Sequence, residues 1–233
     1  MKGTIVTLGG GGFSMSDDGS SAIDDHLLQL TGADMPKVCF VPTASGDDAG
    51  YIDRFEHAFA GRAQTSVLSL FTKTEHVDPR HVLDQHLVYV GGGSTANLLA
   101  VWRLHDLPRH LLAAAANGTV LAGISAGMNC WFEASSTDSF GALAPLRDGL
   151  GWLPGGACPH YLGESERRAS LLTWVGAGEL PDTYAVDDHS ALVWRDGKLI
   201  EAITEAPGHP VYRVVREGDS AHETEISTRL LGT

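Results

Sequence analysis

The stretch Thr119-Val120-Leu121-Ala122-Gly123-Ile124-Ser125-Ala126-Gly127-Met128 changes character at its midpoint. Its first half is an apolar run with a β-branched residue, as in a buried strand. Its second half continues through Met128 to Phe132 with a helical pattern. A serine set between glycines where a strand turns into a helix is the layout of a nucleophile elbow. Small neighbours let the backbone turn sharply enough to present the hydroxyl. The next amide, that of Ala126, then points to the same space.

Outward from the elbow, short apolar strands alternate with helical segments. Strands are expected at Thr4 to Leu8, Lys37 to Pro42, Thr65 to Phe71, His86 to Val90 and Thr119 to Ile124. Helices are expected at Ser20 to Leu30, Asp48 to Gly61, Ser94 to Trp102 and Pro108 to Asn117, with Ser20 or Ser21 capping the first. Nearly continuous apolar strands in this rhythm predict an α/β fold with a mostly parallel sheet covered by helices on both faces. Near the C-terminus, Ala191 to Trp194 and Leu199-Ile200 flank Asp196-Gly197 and read as a β-hairpin extension. Val211 to Val215 adds an antiparallel strand. No repeat or linker divides the chain, so one domain over residues 1–233 is expected.

Composition excludes several functions. A net charge of −13 lacks the basic footprint that nucleic acid or an anionic membrane needs. No apolar run reaches the roughly 18 to 20 residues of a membrane helix. Three cysteines, Cys39, Cys130 and Cys158, are too few and odd in number for a disulfide framework, and no signal peptide is visible. A cytoplasmic protein is expected. Histidine pairs such as His76/His81, His81/His86 and His105/His110 are not at the spacing that shares a helix face, so no metal is expected.

Ligands of an open parallel sheet bind beyond the carboxyl ends of its strands. Four loops fall there: Gly9-Gly10-Gly11-Gly12, Thr43-Ala44-Ser45-Gly46, Gly91-Gly92-Gly93-Ser94 and the elbow. The first fails the spacing of a dinucleotide fingerprint and lacks the lysine of a P-loop, so no cofactor is expected. The Gly91–Gly93 turn precedes a helix and can aim amides at an anion. Gly93 and Ala126 are the natural pair of oxyanion donors, with Gly92 beside the substrate. Ser125 needs a base and the base an orienting acid. His160, in the rigid Pro159-His160-Tyr161 segment, is the leading base and His189 its rival. Glu133 is disfavoured as the acid: a helix rising about 1.5 Å per residue would carry it about 12 Å from the hydroxyl. Asp138, in a loop that can turn back, is preferred. Cys130, a rival nucleophile, sits mid-helix among apolar residues.

Together these segments resemble the serine peptidases of the dipeptidase E and cyanophycinase family. The resemblance rests on Tyr89 to Gly93, Gly123 to Gly127, Thr137-Asp138, Pro159 to Tyr161 and Tyr184 to Asp188, which run in family order. It implies a flavodoxin-like fold and a Ser125–His160–Asp138 triad that cleaves small peptides through an acyl-enzyme. It implies a substrate-binding arginine downstream of the histidine, for which Arg167 and Arg168 are the candidates, and with it a preference for N-terminal aspartate. A cyanophycinase-like amide hydrolase, or an inactive homologue that binds a small ligand, are the alternatives. A homo-oligomer stays open.

Overall fold

The computed structural model describes residues 1–71 and 78–232; His76 lies outside them. The first part of the chain runs β1 (Thr4–Leu8), α1 (Ala22–Leu30), β2 (Lys37–Val41), α2 (Ala49–Phe59), β3 (Gln64–Val67), β4 (Leu87–Val90), α3 (Thr95–Leu104), α4 (Leu107–Ala116) and β5 (Val120–Ile124). The middle runs α5 (Ala126–Asn129), β6 (Phe132–Thr137), β7 (Ala144–Leu146), β8 (Leu153–Cys158), α6 (Arg167–Gly176) and β9 (Thr183–Val186). The rest is β10 (Ser190–Arg195), β11 (Lys198–Thr204), β12 (Val211–Glu217), β13 (Ser220–Ile226) and β14 (Thr228–Leu230).

The expected α/β fold is present, built on two sheets. In the first, β1, β5, β4, β2 and β3 lie side by side and parallel. Successive residues of these strands face opposite cores, as a strand's two-residue period requires. Val38 and Phe40 pack with α1 and α2, while Cys39 and Val41 pack with α3, α4 and the second sheet. That double burial explains why the strands are apolar throughout. The second sheet, in the order β13-β12-β9-β8-β6-β7, carries α6 on its far face through Leu171 and Val175.

The hairpin around Asp196-Gly197 forms and extends the first sheet, β10 pairing antiparallel with β1. Val211 to Glu217 is the expected antiparallel strand and joins β9 in the second sheet. One expectation needs correction: the helix expected through Phe132 is one turn long. The carbonyls of Cys130 and Trp131 accept instead from the amides of Leu150, Trp152 and Leu153, and the chain enters β6. Glu133 therefore stands on an exposed strand position.

The loop after β1 is held from below. Phe13 meets the rings of Phe40, Tyr51, Phe55, Phe59 and Tyr89 at centroid distances of 5.2 to 6.0 Å. Its amide donates to Asp24 Oδ2 at 2.7 Å. Gly12 has φ 57°, and a methyl there would sit 2.6 Å from Tyr89 Oη, so no side chain fits. Ser21 caps α1 by accepting from the Asp24 amide, as expected.

Burial pushes the Asp24 carboxyl up to about 7, a rise the Phe13 amide opposes and the Glu205 charge reinforces. The folded chain thus holds this proton where the unfolded chain has lost it. Stability from the neutral carboxyl is fully present below the ordinary aspartate range and is lost as pH rises through about 7. Denaturant titrations at pH 5 and pH 8 should show the protein less stable at pH 8, and Asp24→Asn should shrink that difference.

Candidate active site

Ser125 lies between β5 and α5 with φ 57° and ψ −112°. A residue with a side chain in this region carries strain on the order of 1–3 kcal/mol, tolerated where the surroundings over-determine it. Here they do. The Ser125 amide donates to Leu8 O at the end of β1, at 3.0 Å, and its carbonyl accepts from Met128 and Asn129 at 2.9 Å each. The flanking glycines are there for space. A methyl on Gly123 would lie 2.1 Å from Gly127 O, and one on Gly127 would lie 2.4 Å from Val90 O. The hydroxyl itself forms no hydrogen bond among the described residues.

The Gly91–Gly93 turn lies beside this serine. A methyl on Gly92 would sit 3.3 Å from Ser125 Cβ and 3.8 Å from Oγ. The Gly92 amide donates to Tyr51 Oη at 3.3 Å, and Ser94 N donates to Ala44 O at 2.8 Å. Gly93, at φ 133°, could not carry a side chain, which would meet Ala44 O at 2.3 Å. Among the described residues the amides of Gly93 and Ala126 donate to nothing, whereas the Gly92 amide is already taken. Gly93 and Ala126 are the pair that the sequence reading offers as candidate oxyanion donors.

His160 follows β8, at φ 51°. Its Nδ1 is 2.6 Å from Asp188 Oδ1. Both side chains are mostly covered, 18% and 15% exposed. The His160 hydrogen bond holds the Asp188 carboxyl below its ordinary value against the opposing effect of burial. Asp188 therefore stays ionised through the neutral range. The pair abuts the same loop as the serine. Leu8 holds the Ser125 amide, and two residues on, a methyl on Gly10 would lie 3.0 Å from His160 Nδ1.

Asp138 does not meet His160. It is exposed in the turn after β6, its carbonyl accepting from Gly141 N at 2.9 Å. The turn is held over the start of α3, where Ala96 N donates to Ser139 Oγ at 3.2 Å. The acid on the histidine comes instead from the end of β9, a residue that sequence reading passed over. A signal existed. β8 and β9 are parallel neighbours, Cys158 opposite Ala185, so the residues just past their ends, His160 and Asp187-Asp188, reach the same rim. Asp187 accepts from the amides of Leu162 and Gly163 and pairs with His209 at 3.2 Å. His189, the rival base, has its Nδ1 3.1 Å from Glu205.

The two arginines are engaged elsewhere. Arg167 is buried, with bonds to Glu164 Oε2 at 2.6 Å and Ser136 O at 3.5 Å. Arg168 pairs with Glu223, which also accepts from Tyr161 Oη. Cys130 is buried, its thiol bonded to Gly127 O at 3.2 Å and pushed by burial far above the range in which a thiolate forms.

The chain matches the model of peptidase family S51 over residues 5–202. It is 41% identical over 229 residues to the uncharacterized peptidase YgaJ of Bacillus subtilis (strain 168), covering 98% of this chain and 99% of that one. Two solved structures share its fold. A peptidase from an acI-B1 Actinobacterium superposes with TM-score 0.72 at 17% identity, over 98% of this chain and 95% of that chain. A candidate peptidase E protein from Listeria monocytogenes EGD-e gives 0.66 at 16%, over 88% and 100%.

If Asp188 orients His160, Asp188→Asn should slow fluorophosphonate labelling of Ser125 by about 100-fold or more, the scale of losing an orienting acid. Asp138→Asn should stay within about threefold of wild type, as a surface change does. Active-site labelling kinetics on the three proteins decide between the two acids.

Proposed function

Because this chain belongs to peptidase family S51 and is a serine-type peptidase, we propose that it hydrolyses small peptides with Ser125 as nucleophile, His160 as general base and acid, and Asp188 as the orienting carboxylate. The observation that carries this reading is the 2.6 Å His160–Asp188 bond on the rim that also holds the strained Ser125. With Nδ1 bound to the carboxylate, the other ring nitrogen, Nε2, is the one left to serve the hydroxyl. His160 takes the Ser125 proton as Oγ attacks the scissile carbonyl. The amides of Gly93 and Ala126 receive the oxyanion, each such donor being worth roughly 10²–10³ in rate. The imidazolium then protonates the leaving amine, and water releases the acyl group by the same route in reverse. The contact between the hydroxyl and the ring is one that tightens as substrate binds.

Arg167 and Arg168 already bond Glu164 and Glu223. The substrate class is small peptides, and dipeptides with N-terminal aspartate belong in the panel that tests it. A cytoplasmic setting belongs to the same proposal and is supported by three free, buried cysteines. Among the described residues no helix is long and apolar enough to cross a membrane.

A dipeptide panel assayed with wild type and Ser125→Ala tests this reading. Hydrolysis should be lost in the variant by about 10⁴-fold or more. Hydrolysis that persists in Ser125→Ala would overturn it.

A further inference from the structure

The glycines at 10 and 163 serve no backbone need. Neither has φ in the left-handed region that favours glycine, unlike Gly11 at 103° and Gly12 at 57°. Both face Asp188. A methyl on Gly10 would lie 2.0 Å from Asp188 Oδ1 and 3.0 Å from His160 Nδ1, and one on Gly163 would lie 2.1 Å from Asp188 Oδ2. Real Cβ atoms do not approach other atoms so closely. The carboxylate is thus gripped on its two oxygens by two backbone segments far apart in the sequence.

Both walls are tied to the backbone and side chains around Asp188. Gly9 N donates to Ser190 O and Gly10 O accepts from His189 N, both at 3.1 Å, so the first wall is stitched to the residues that follow Asp188. Gly9 is itself packed, a methyl there meeting Val186 O at 2.3 Å. The second wall is held by Leu162 N and Gly163 N on Asp187 Oδ1, at 2.9 and 3.0 Å. With fixed walls, a methyl on either side has to displace the side chain between them, and the carboxylate moves off the imidazole.

We propose that Gly10 and Gly163 are positioning residues, forming a slot of glycine width that seats the Asp188 carboxylate and through it aims His160 at Ser125. This rests on the triad reading above. It also gives a role to the Gly9–Gly12 run, which fits neither a dinucleotide nor a phosphate loop.

The test is the fluorophosphonate labelling rate at Ser125, resolved into its saturating rate and half-saturating concentration, with thermal melts alongside. The proteins are wild type, Gly10→Ala, Gly163→Ala, Asp188→Asn and the double variant Gly10→Ala/Asp188→Asn. Each alanine variant should lower the saturating rate by about 10²-fold, the cost of a catalytic group displaced by about 1 Å. The half-saturating concentration should stay within about threefold. In the Asp188→Asn background, Gly10→Ala should cost less than about threefold more, because coupled groups are not additive. A loss of equal size in both backgrounds overturns the slot, since a merely structural defect would not depend on the carboxylate. So does full reactivity in folded Gly10→Ala and Gly163→Ala. Should Gly10→Ala not fold, Gly163→Ala reads the slot from the other wall, paired with Asp188→Asn in the same cycle. Wild type that fails to label at Ser125 would instead strike at the triad reading.

Discussion

The Ser125 amide donates to the Leu8 carbonyl at 3.0 Å, and this bond joins the parts of the candidate site. It ties the elbow after β5 to the end of β1, the neighbouring parallel strand. From Leu8 the chain continues into glycines that run against the His160–Asp188 pair. Two strands of the first sheet and two of the second thus meet at one rim. The serine holds its left-handed backbone because β1 gives its amide a partner and α5 gives its carbonyl two.

Backbone crowding, more than side-chain packing, gives this rim its rigidity. Gly123, Gly127, Gly10 and Gly163 each stand where a methyl would strike a carbonyl or carboxylate oxygen closer than 2.5 Å. Such glycines let polar backbone groups approach one another without a layer of side chains between them. The aromatic cluster around Phe13 performs the complementary task below the rim, filling the face between the sheet and α2 and fixing where the Gly9–Gly12 loop leaves β1. A charge network completes the support. Glu205 accepts from Gly12 N, Ser21 Oγ and Ile23 N and pairs with His189, linking the loop, the start of α1 and the segment after Asp188.

Much of this was legible in the sequence because it is local. The elbow is written in five consecutive residues, Gly123 to Gly127, and the apolar runs of β1, β2, β4 and β5 announce a sheet buried on both faces. The Ser94 turn announces a helix start, and Ser94 Oγ does accept from Asn97 N. The length of α5 was misread because its end is set at long range: amides from residues 150 to 153 take the carbonyls that a further helical turn would have used. Asp196-Gly197 marks a hairpin in any context, but whether the hairpin caps the sheet or enters it depends on β1 having an open edge.

The amino-acid sequence alone determined the strand-to-helix serine, the glycine-rich loops at the strand ends and the histidine after β8, since each depends on spacing within a few residues. The acid beside that histidine was a tertiary decision. Asp138 and Asp188 are both loop aspartates at the ends of strands, and nothing in their immediate neighbours separates them. The parallel pairing of β8 with β9 puts Asp188 on the imidazole, while the Ser139 contact with α3 keeps the Asp138 turn over that helix. The fates of Arg167 and Arg168 were settled in the same way, by Glu164 and Glu223 coming within reach of them in the fold.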